Sequence, residues 1–156
     1  MDFGGRYHLG ASRQDVWAAL NDTAVLKATI PGCEHIAWTG ENTLEIRIKV
    51  NLGVVHPVFA GDLTLSNVLP ARSYTLSGKG RGGLLGLAEG AADITLADNG
   101  EGCALAFRAQ GGASGQIMRL GRALIGNSAQ KVIDGFFERF AEAMGTSIEA
   151  LALDSP

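Results

Sequence analysis

The sequence predicts one α+β domain in which strands wrap a single long C-terminal helix. Three observations predict it. Strand-like alternation fills the middle of the chain, from about residue 34 to residue 110. The early helical signals are two short ones, close to the N-terminus. Everything after Gly112 reads as helix. Strands and helices segregated in this way exclude a repeating βαβ unit. The 156 residues fit one domain, here 1–145 with a tail over 146–156. A domain of this size buries roughly 68–70% of its unfolded surface and folds without staples.

Residues 2–10 form the first strand, with Phe3, Tyr7 and Leu9 as its apolar members and Gly10 as its end. The segment Ser12-Arg-Gln-Asp15 precedes the apolar run Val16, Trp17, Leu20 and can cap the exposed amides of a first helix. Asn21-Asp22 ends that helix and caps a second over residues 23–30. Pro31-Gly32 stops it, because Pro31 disfavours helical angles at Ile30 and Gly32 permits a sharp turn.

Strands follow at 34–38 and 43–50, separated by a turn at Gly40-Glu-Asn. In Leu44-Glu-Ile46-Arg-Ile48-Lys-Val50 the apolar residues face one side and the charges the other. Residues 54–69 make a long strand with Pro57 at its start or on an edge. Pro70-Ala71 turns the chain into strands at 72–80, 87–97 and 103–110, the last two joined by Asp98-Asn-Gly-Glu. From Ser114, a candidate cap, Ile117, Leu120, Leu124, Val132, Ile133, Phe136, Phe140 and Met144 recur at helical spacing. About 30 residues rising 1.5 Å each give a helix near 45 Å, long enough to cross a small domain. Residues 145–156 read as a frayed tail.

Hydrophobic residues at 46% and charged residues at 19% are ordinary for a globular chain. A net charge of −3 argues against a nucleic-acid footprint, which needs clustered Lys and Arg. Cys33 and Cys103 form no metal spacing and read as free thiols of a reducing compartment. No run reaches about 18 apolar residues, and no basic-then-apolar leader opens the chain, so the expected location is cytoplasmic. Glycine is the outlier: 22 residues is twice the usual share of roughly 7%. Strongly bent strands are one explanation and space left for a ligand is another.

Gly78-Lys-Gly80-Arg-Gly82-Gly83 contains the spacing GxGxxG, but Leu84 to Leu96 reads as loop and strand, whereas a dinucleotide fingerprint opens a helix. The segment is instead a flexible hairpin or flap. The apolar Leu84-Leu85 beyond it is either tucked into the core or set at the mouth of a pocket. Cys33, Glu34 and His35 stand together, and 33 and 35 share a strand face, so a Cys–His nucleophile is geometrically conceivable; a structural role is the reading preferred. His8 and His56 stand alone and predict no metal site. Lys79, Arg81, Arg119, Arg122, Lys131 and Arg139 read as a solvated face, with an acidic partner or anionic lipid as the alternative. In the long helix Gly115, Gly121, Gly126 and Gly135 serve close packing on the sheet or leave a cavity. Trp17 and Trp38 read as packing residues.

Several of these segments together resemble a known family. They are Ala11-Ser-Arg-Gln-Asp-Val-Trp17-Ala-Ala-Leu-Asn21-Asp22, Leu26, Ile30-Pro31-Gly32-Cys33-Glu34, Phe59-x-Gly61, Ser73-Tyr74-x-Leu76-x-Gly78-x-Gly80, Gly90-x-Ala92-Asp93-Ile94 and Phe136-Phe137-x-Arg-Phe140. Over residues 2 to about 144 the chain is similar to the CoxG family of carbon monoxide dehydrogenase, most specifically through Ile-Pro-Gly-Cys-Glu. The resemblance implies the START-like (SRPBCC, Bet v 1-like) helix-grip fold, a curved antiparallel sheet gripping the last helix around an apolar cavity. It implies a partner, a molybdenum-containing CO dehydrogenase or related hydroxylase, and a quinone-like lipid as cavity ligand. Many members carry a C-terminal linker and membrane-associating segment; neither occurs before Pro156, so the contact expected with the inner membrane is transient.

The function expected is therefore a non-enzymatic carrier of a lipophilic molecule, with no cofactor and no catalytic residue. Ile48, Phe59, Leu63, Tyr74, Leu76, Phe107, Ile117, Leu120 and Leu124 are the expected lining, with Leu84 and Leu85 as the gate and the Tyr74 hydroxyl available to a ligand carbonyl. The alternatives are an assembly or membrane-recruitment partner with a filled core, and a small hydrolase, cyclase or isomerase using Glu34, His35 or Tyr74. The last needs two polar groups converging in one cleft.

Overall fold

Strand β1 (Asp2–Leu9) leads into two short helices, each capped by the residue the sequence nominates. In this computed structural model, which describes residues 2–49, 54, 56, 58–81, 87–113 and 129–151, Ser12 accepts a hydrogen bond from the Asp15 amide at the start of α1 (Arg13–Leu20). Asp22 accepts one from Ala24 at the start of α2 (Thr23–Thr29). Each bond satisfies an amide that the first helical turn leaves unpaired. Gly32, with φ +73, then turns the chain into the sheet.

Strands β2 (Cys33–Trp38), β3 (Thr43–Lys49), β4 (Val58–Leu69), β5 (Ser73–Arg81), β6 (Leu87–Asn99) and β7 (Gly102–Ala113) form an antiparallel meander. β1 pairs antiparallel with β7, so the first strand lies beside the last of the meander. Helix α3 (Ala129–Met144) follows, and a short β8 (Ile148–Leu151) pairs with the other side of β1. The sheet order is β2-β3-β4-β5-β6-β7-β1-β8. It curves, and a bulge between Ser66 and Leu69, with Asn67 at φ 53, adds a local bend in β4.

Two observed elements depart from expectation. The tail expected after residue 145 begins instead with β8, whose hydrogen bonds to β1 hold a segment too short to announce itself by pattern. The long helix is described only from Ala129, and its expected start at Ser114 lies outside the described residues.

The helices all pack on one face of the sheet. Phe137, Phe140 and Ala141 of α3 meet Tyr7, Leu9, Leu96, Cys103 and Leu105, with Val16 of α1 in the same cluster. A second cluster joins Ile36, Leu44, Leu65 and Tyr74, with Trp17, Leu20 and Leu26 of the short helices packed against it. Trp17, Leu20 and Ile94 touch both clusters. Arg13 fixes α1 at one end of the sheet, donating to the Ala71 carbonyl at 2.9 Å and to Asp98 at 3.2 Å.

Candidate functional site

The face that carries the helices is not uniform along the strands. Because side chains alternate across a strand, cross-strand partners of a core residue share its face. Near the β4–β5 and β6–β7 turns this face is large and buried: Leu9, Tyr74, Leu96 and Leu105 are each under a tenth exposed. Toward the opposite end it becomes small. Leu65 pairs with Leu76, and Leu76 with Ala92, which pairs with Ala109. The next row is Leu63, Gly78, Gly90 and Gly111, and beyond it Gly61 pairs with Gly80. Leu63 and Leu76 point inward yet are only half-buried, and Gly90 is exposed although strands flank it on both sides. Among the described residues, the concave face is thus a packed half joined to a half with small residues and incomplete cover.

The glycines differ in what they accommodate. A Cβ on Gly78 would meet Leu63 Cδ2 at 2.6 Å, so Leu63 leans over it. A Cβ on Gly61 would press on the Lys79 carbonyl and Ile46. Among the described residues, a Cβ on Gly80 would meet only the Ala60 carbonyl, at 3.8 Å.

The structure distributes the expected lining residues over both halves. Ile48 and Phe59 are register partners on β3 and β4, both half-buried. Leu63 and Leu76 stand in adjacent rows. Tyr74, Ile94 and Phe107 form one row across β5, β6 and β7. Phe107 is half-buried, with its ring centroid 5.4 Å from that of Phe137. Tyr74 is buried in the packed half, 5.3 Å edge-on to Trp17, and burial pushes its phenol up to about 12. Leu84, Leu85, Ile117, Leu120 and Leu124 lie outside the described residues.

Sequence spacing missed one polar pair on this face. The Tyr7 hydroxyl donates to Asp134 Oδ1 at 2.6 Å, joining β1 to α3. Tyr7 is 3% exposed and packs against Phe107 and Phe137, while Asp134 is half-buried. The one signal available was an acidic residue directly after Ile133 and two before Phe136, beside the apolar stripe of the helix.

The Cys–His pair does not form. A bulge between Cys33 and His35 undoes their shared face. Cys33 Sγ lies 3.5 Å from the His35 carbonyl, while the His35 ring, through Nε2, is 2.7 Å from Glu45. Burial raises the Cys33 thiol, so the thiolate is disfavoured. Both cysteines are free. Gly78 and Gly80 are paired strand residues rather than parts of a loop, and Arg81 and Leu87 belong to antiparallel neighbours, so the GxGxxG spacing has no helix behind it. Among the described residues no group of His, Cys, Asp and Glu gathers for a metal ion. Among them, too, no helix is long and apolar enough to cross a membrane.

The family model for CoxG, the carbon monoxide dehydrogenase G-subunit, matches residues 5–145. The chain belongs to the CoxG family. Membership suggests an accessory role for CO dehydrogenase. A comparison with curated proteins found no match. Among solved structures, a conserved protein from Geobacillus kaustophilus superposes with TM-score 0.81 at 21% identity, covering 95% of this chain and 99% of its own. A protein from Chromobacterium violaceum gives 0.72 at 13%, covering 92% and 96%. The di-domain ARO/CYC StfQ from the steffimycin biosynthetic pathway gives 0.63 at 12%, covering 92% of this chain and 50% of its own. These likenesses establish the helix-grip fold, which this CoxG chain shares with a biosynthetic ARO/CYC protein.

Proposed function

We propose that this CoxG chain is a non-enzymatic accessory protein of a molybdenum-containing CO dehydrogenase-type enzyme and carries a lipophilic molecule, a quinone by preference, on its concave face. The single observation that carries the reading is the change along that face from buried Leu9, Leu96 and Leu105 to small Gly80, Gly90 and Ala92 with half-buried Leu63 and Leu76. A domain that needed only a core would place large side chains at both ends. Ile48, Phe59, Leu63, Leu76 and Phe107 supply apolar surface there, and Tyr74 closes the packed side.

The energetics suit exchange rather than storage. Burying ~350 Å² of ligand at ~25 cal/mol/Å² gives roughly 9 kcal/mol gross against water, before association costs. Against a bilayer that gain nearly vanishes, because lipid tails are as apolar as the protein's own side chains. A carrier built this way takes its ligand from a membrane and releases it without a large barrier in free energy. Transient contact with the inner membrane fits that exchange.

Organic extraction of the purified protein, followed by mass spectrometry, is the direct test. A lipophile recovered in near-stoichiometric amount, or saturable binding of added quinone, is the expected result. Recovery of none together with no quinone binding would leave only a docking role at the hydroxylase, for which a pull-down with that enzyme is the measurement.

A further inference from the structure

We infer that the small-residue end of the sheet docks on a bilayer carrying anionic lipid, with Lys27, Arg47, Lys49 and Arg81 meeting headgroup phosphates and Val54 and Val58 entering the interface. The inference rests on the carrier reading above and names the surface through which the concave face meets the membrane.

Topology gathers these residues. Lys49 pairs with Val58 where β3 passes toward β4, and Val54 belongs to the connection between them. Arg47 pairs with Ala60, which pairs with Arg81 near the end of β5. The neighbouring row is Gly61 with Gly80, so this is the end where the concave face becomes small. Cys33 begins β2 at the same end, opposite Ile48. Lys27 stands in the last turn of α2, close enough for its charge to act on the Cys33 thiol.

Val54 is 96% exposed and Val58 45% exposed. Apolar side chains held in water beside basic ones suit an interface, where the apolar parts are buried and long basic stems keep their charges at headgroup level. Lys27, Arg47, Lys49 and Arg81 are all exposed. Arg81 lies 3.7 Å from Asp62, an exposed pair that a phosphate can replace at little cost.

Charge fixes the orientation. Glu34, in the β2 bulge, is the acid that shares this end. Glu45, Asp62 and Glu89 stand one row farther from it, a step of about 7 Å along the strands and close to a Debye length at physiological salt. The far end is acidic. Asp15, Glu41, Asp98 and Glu101 are exposed there, while Arg13 is engaged with Asp98. With a net charge of −3 the chain as a whole is repelled by an anionic surface, so attraction requires that the basic end be presented. That presentation sets the incompletely covered half of the concave face against the bilayer, the source of a lipophile.

The test mixes the full chain with vesicles of phosphatidylcholine, alone or with roughly a third of phosphatidylglycerol, and reads binding by flotation. Binding to the anionic vesicles is expected at about 0.1 M salt. It should weaken at least tenfold at about 1 M salt, as the Debye length falls from about 10 Å to about 3 Å. Phosphatidylcholine alone should bind at least tenfold more weakly. Each basic residue at an anionic surface is worth about fivefold, so Lys49→Gln with Arg81→Gln should weaken binding at least tenfold. Arg72→Gln with Arg108→Gln removes the same charge from exposed positions away from this end and should change binding by less than about threefold. Equal weakening by the two pairs, or equal binding to the two kinds of vesicle, would overturn the proposal. Binding to neither vesicle would overturn it too; a hydroxylase pull-down lost in Lys49→Gln with Arg81→Gln would then assign this end to that enzyme. Menadione binding without vesicles separates the two readings. Its absence with vesicle docking intact would count against the carrier and leave the docking end standing, whereas its presence without vesicle docking overturns the docking end alone. The lipid and salt series use no variant, so they decide the question even if a substituted chain fails to fold.

Discussion

The Arg139 guanidinium donates through Nε a 3.2 Å hydrogen bond to the backbone carbonyl of Thr29, tying the C-terminal helix to the end of α2. Thr29 is only 2% exposed, and its own hydroxyl donates back to the Val25 carbonyl at 2.8 Å. The carbonyl belongs to the last turn of α2, where helix carbonyls lack intrahelical partners. Removing the guanidinium leaves that oxygen without its donor. Arg139→Met, which keeps the apolar stem, should therefore lower stability by about 1–2 kcal/mol. Urea unfolding checks it, and an unchanged midpoint would show that water replaces the arginine at no cost.

Tyr74 gives the fold a sensitivity to alkali. Its phenol is pushed up to about 12 by burial, from 10.0 in the unfolded chain. The folded state holds the proton more tightly, so the contribution to stability is complete below about pH 10 and is lost as pH rises through the folded value. The loss between those limits is about 3 kcal/mol, at roughly 1.36 kcal/mol per unit. Urea midpoints measured from pH 9 upward should fall over this window, and the fall should be smaller in Tyr74→Phe. A fall of equal size in the variant would assign it to other groups.

What the sequence disclosed was what depends on near neighbours. Ser12 and Asp22 cap helices because the amides they satisfy lie three and two residues away. The Leu44–Ile48 alternation predicts its strand because one side faces the core. The hidden features depend on distance along the chain. β8 exists through β1, and Ile148-Glu-Ala-Leu151 carries no signal without it. Tyr7 and Asp134 meet across 127 residues, so no spacing could pair them. The Cys33–His35 face was misjudged because one extra residue at a bulge reverses which side a strand presents. Small residues on the concave face were visible only as a glycine excess; pairing was needed to show that Gly78, Gly90 and Gly111 share a row.

Cys33 should behave as a packing residue despite its neighbours. Its thiol is raised by burial and its polar contact is the His35 carbonyl. Reaction with a disulfide reagent at pH 8 should be slower than for an unfolded cysteine, and Cys33→Ala should leave quinone binding unchanged. His35→Ala removes the exposed contact with Glu45 and should change stability by less than about 1 kcal/mol. Rapid modification of Cys33, or lost binding in Cys33→Ala, would return this segment to the working groups of the protein.

Glycine separates folding from binding most cleanly. At Gly32 the backbone has φ +73, and a Cβ would collide with the Lys49 carbonyl, whose oxygen is fixed by the strand. Gly32→Ala should cost about 2 kcal/mol or more, combining left-handed strain with the backbone contact. Among the described residues, a Cβ at Gly80 meets nothing closer than the Ala60 carbonyl at 3.8 Å, and the strand geometry is one any residue adopts. Gly80→Ala should be neutral or stabilising by up to about 1 kcal/mol, since it removes freedom from the unfolded chain. Gly80→Leu keeps the same backbone and pushes a side chain into the small-residue half, so it should reduce ligand affinity at least tenfold while the stability measured by urea unfolding holds within about 1 kcal/mol. Full-affinity binding by a folded Gly80→Leu protein would place the ligand elsewhere than on this face.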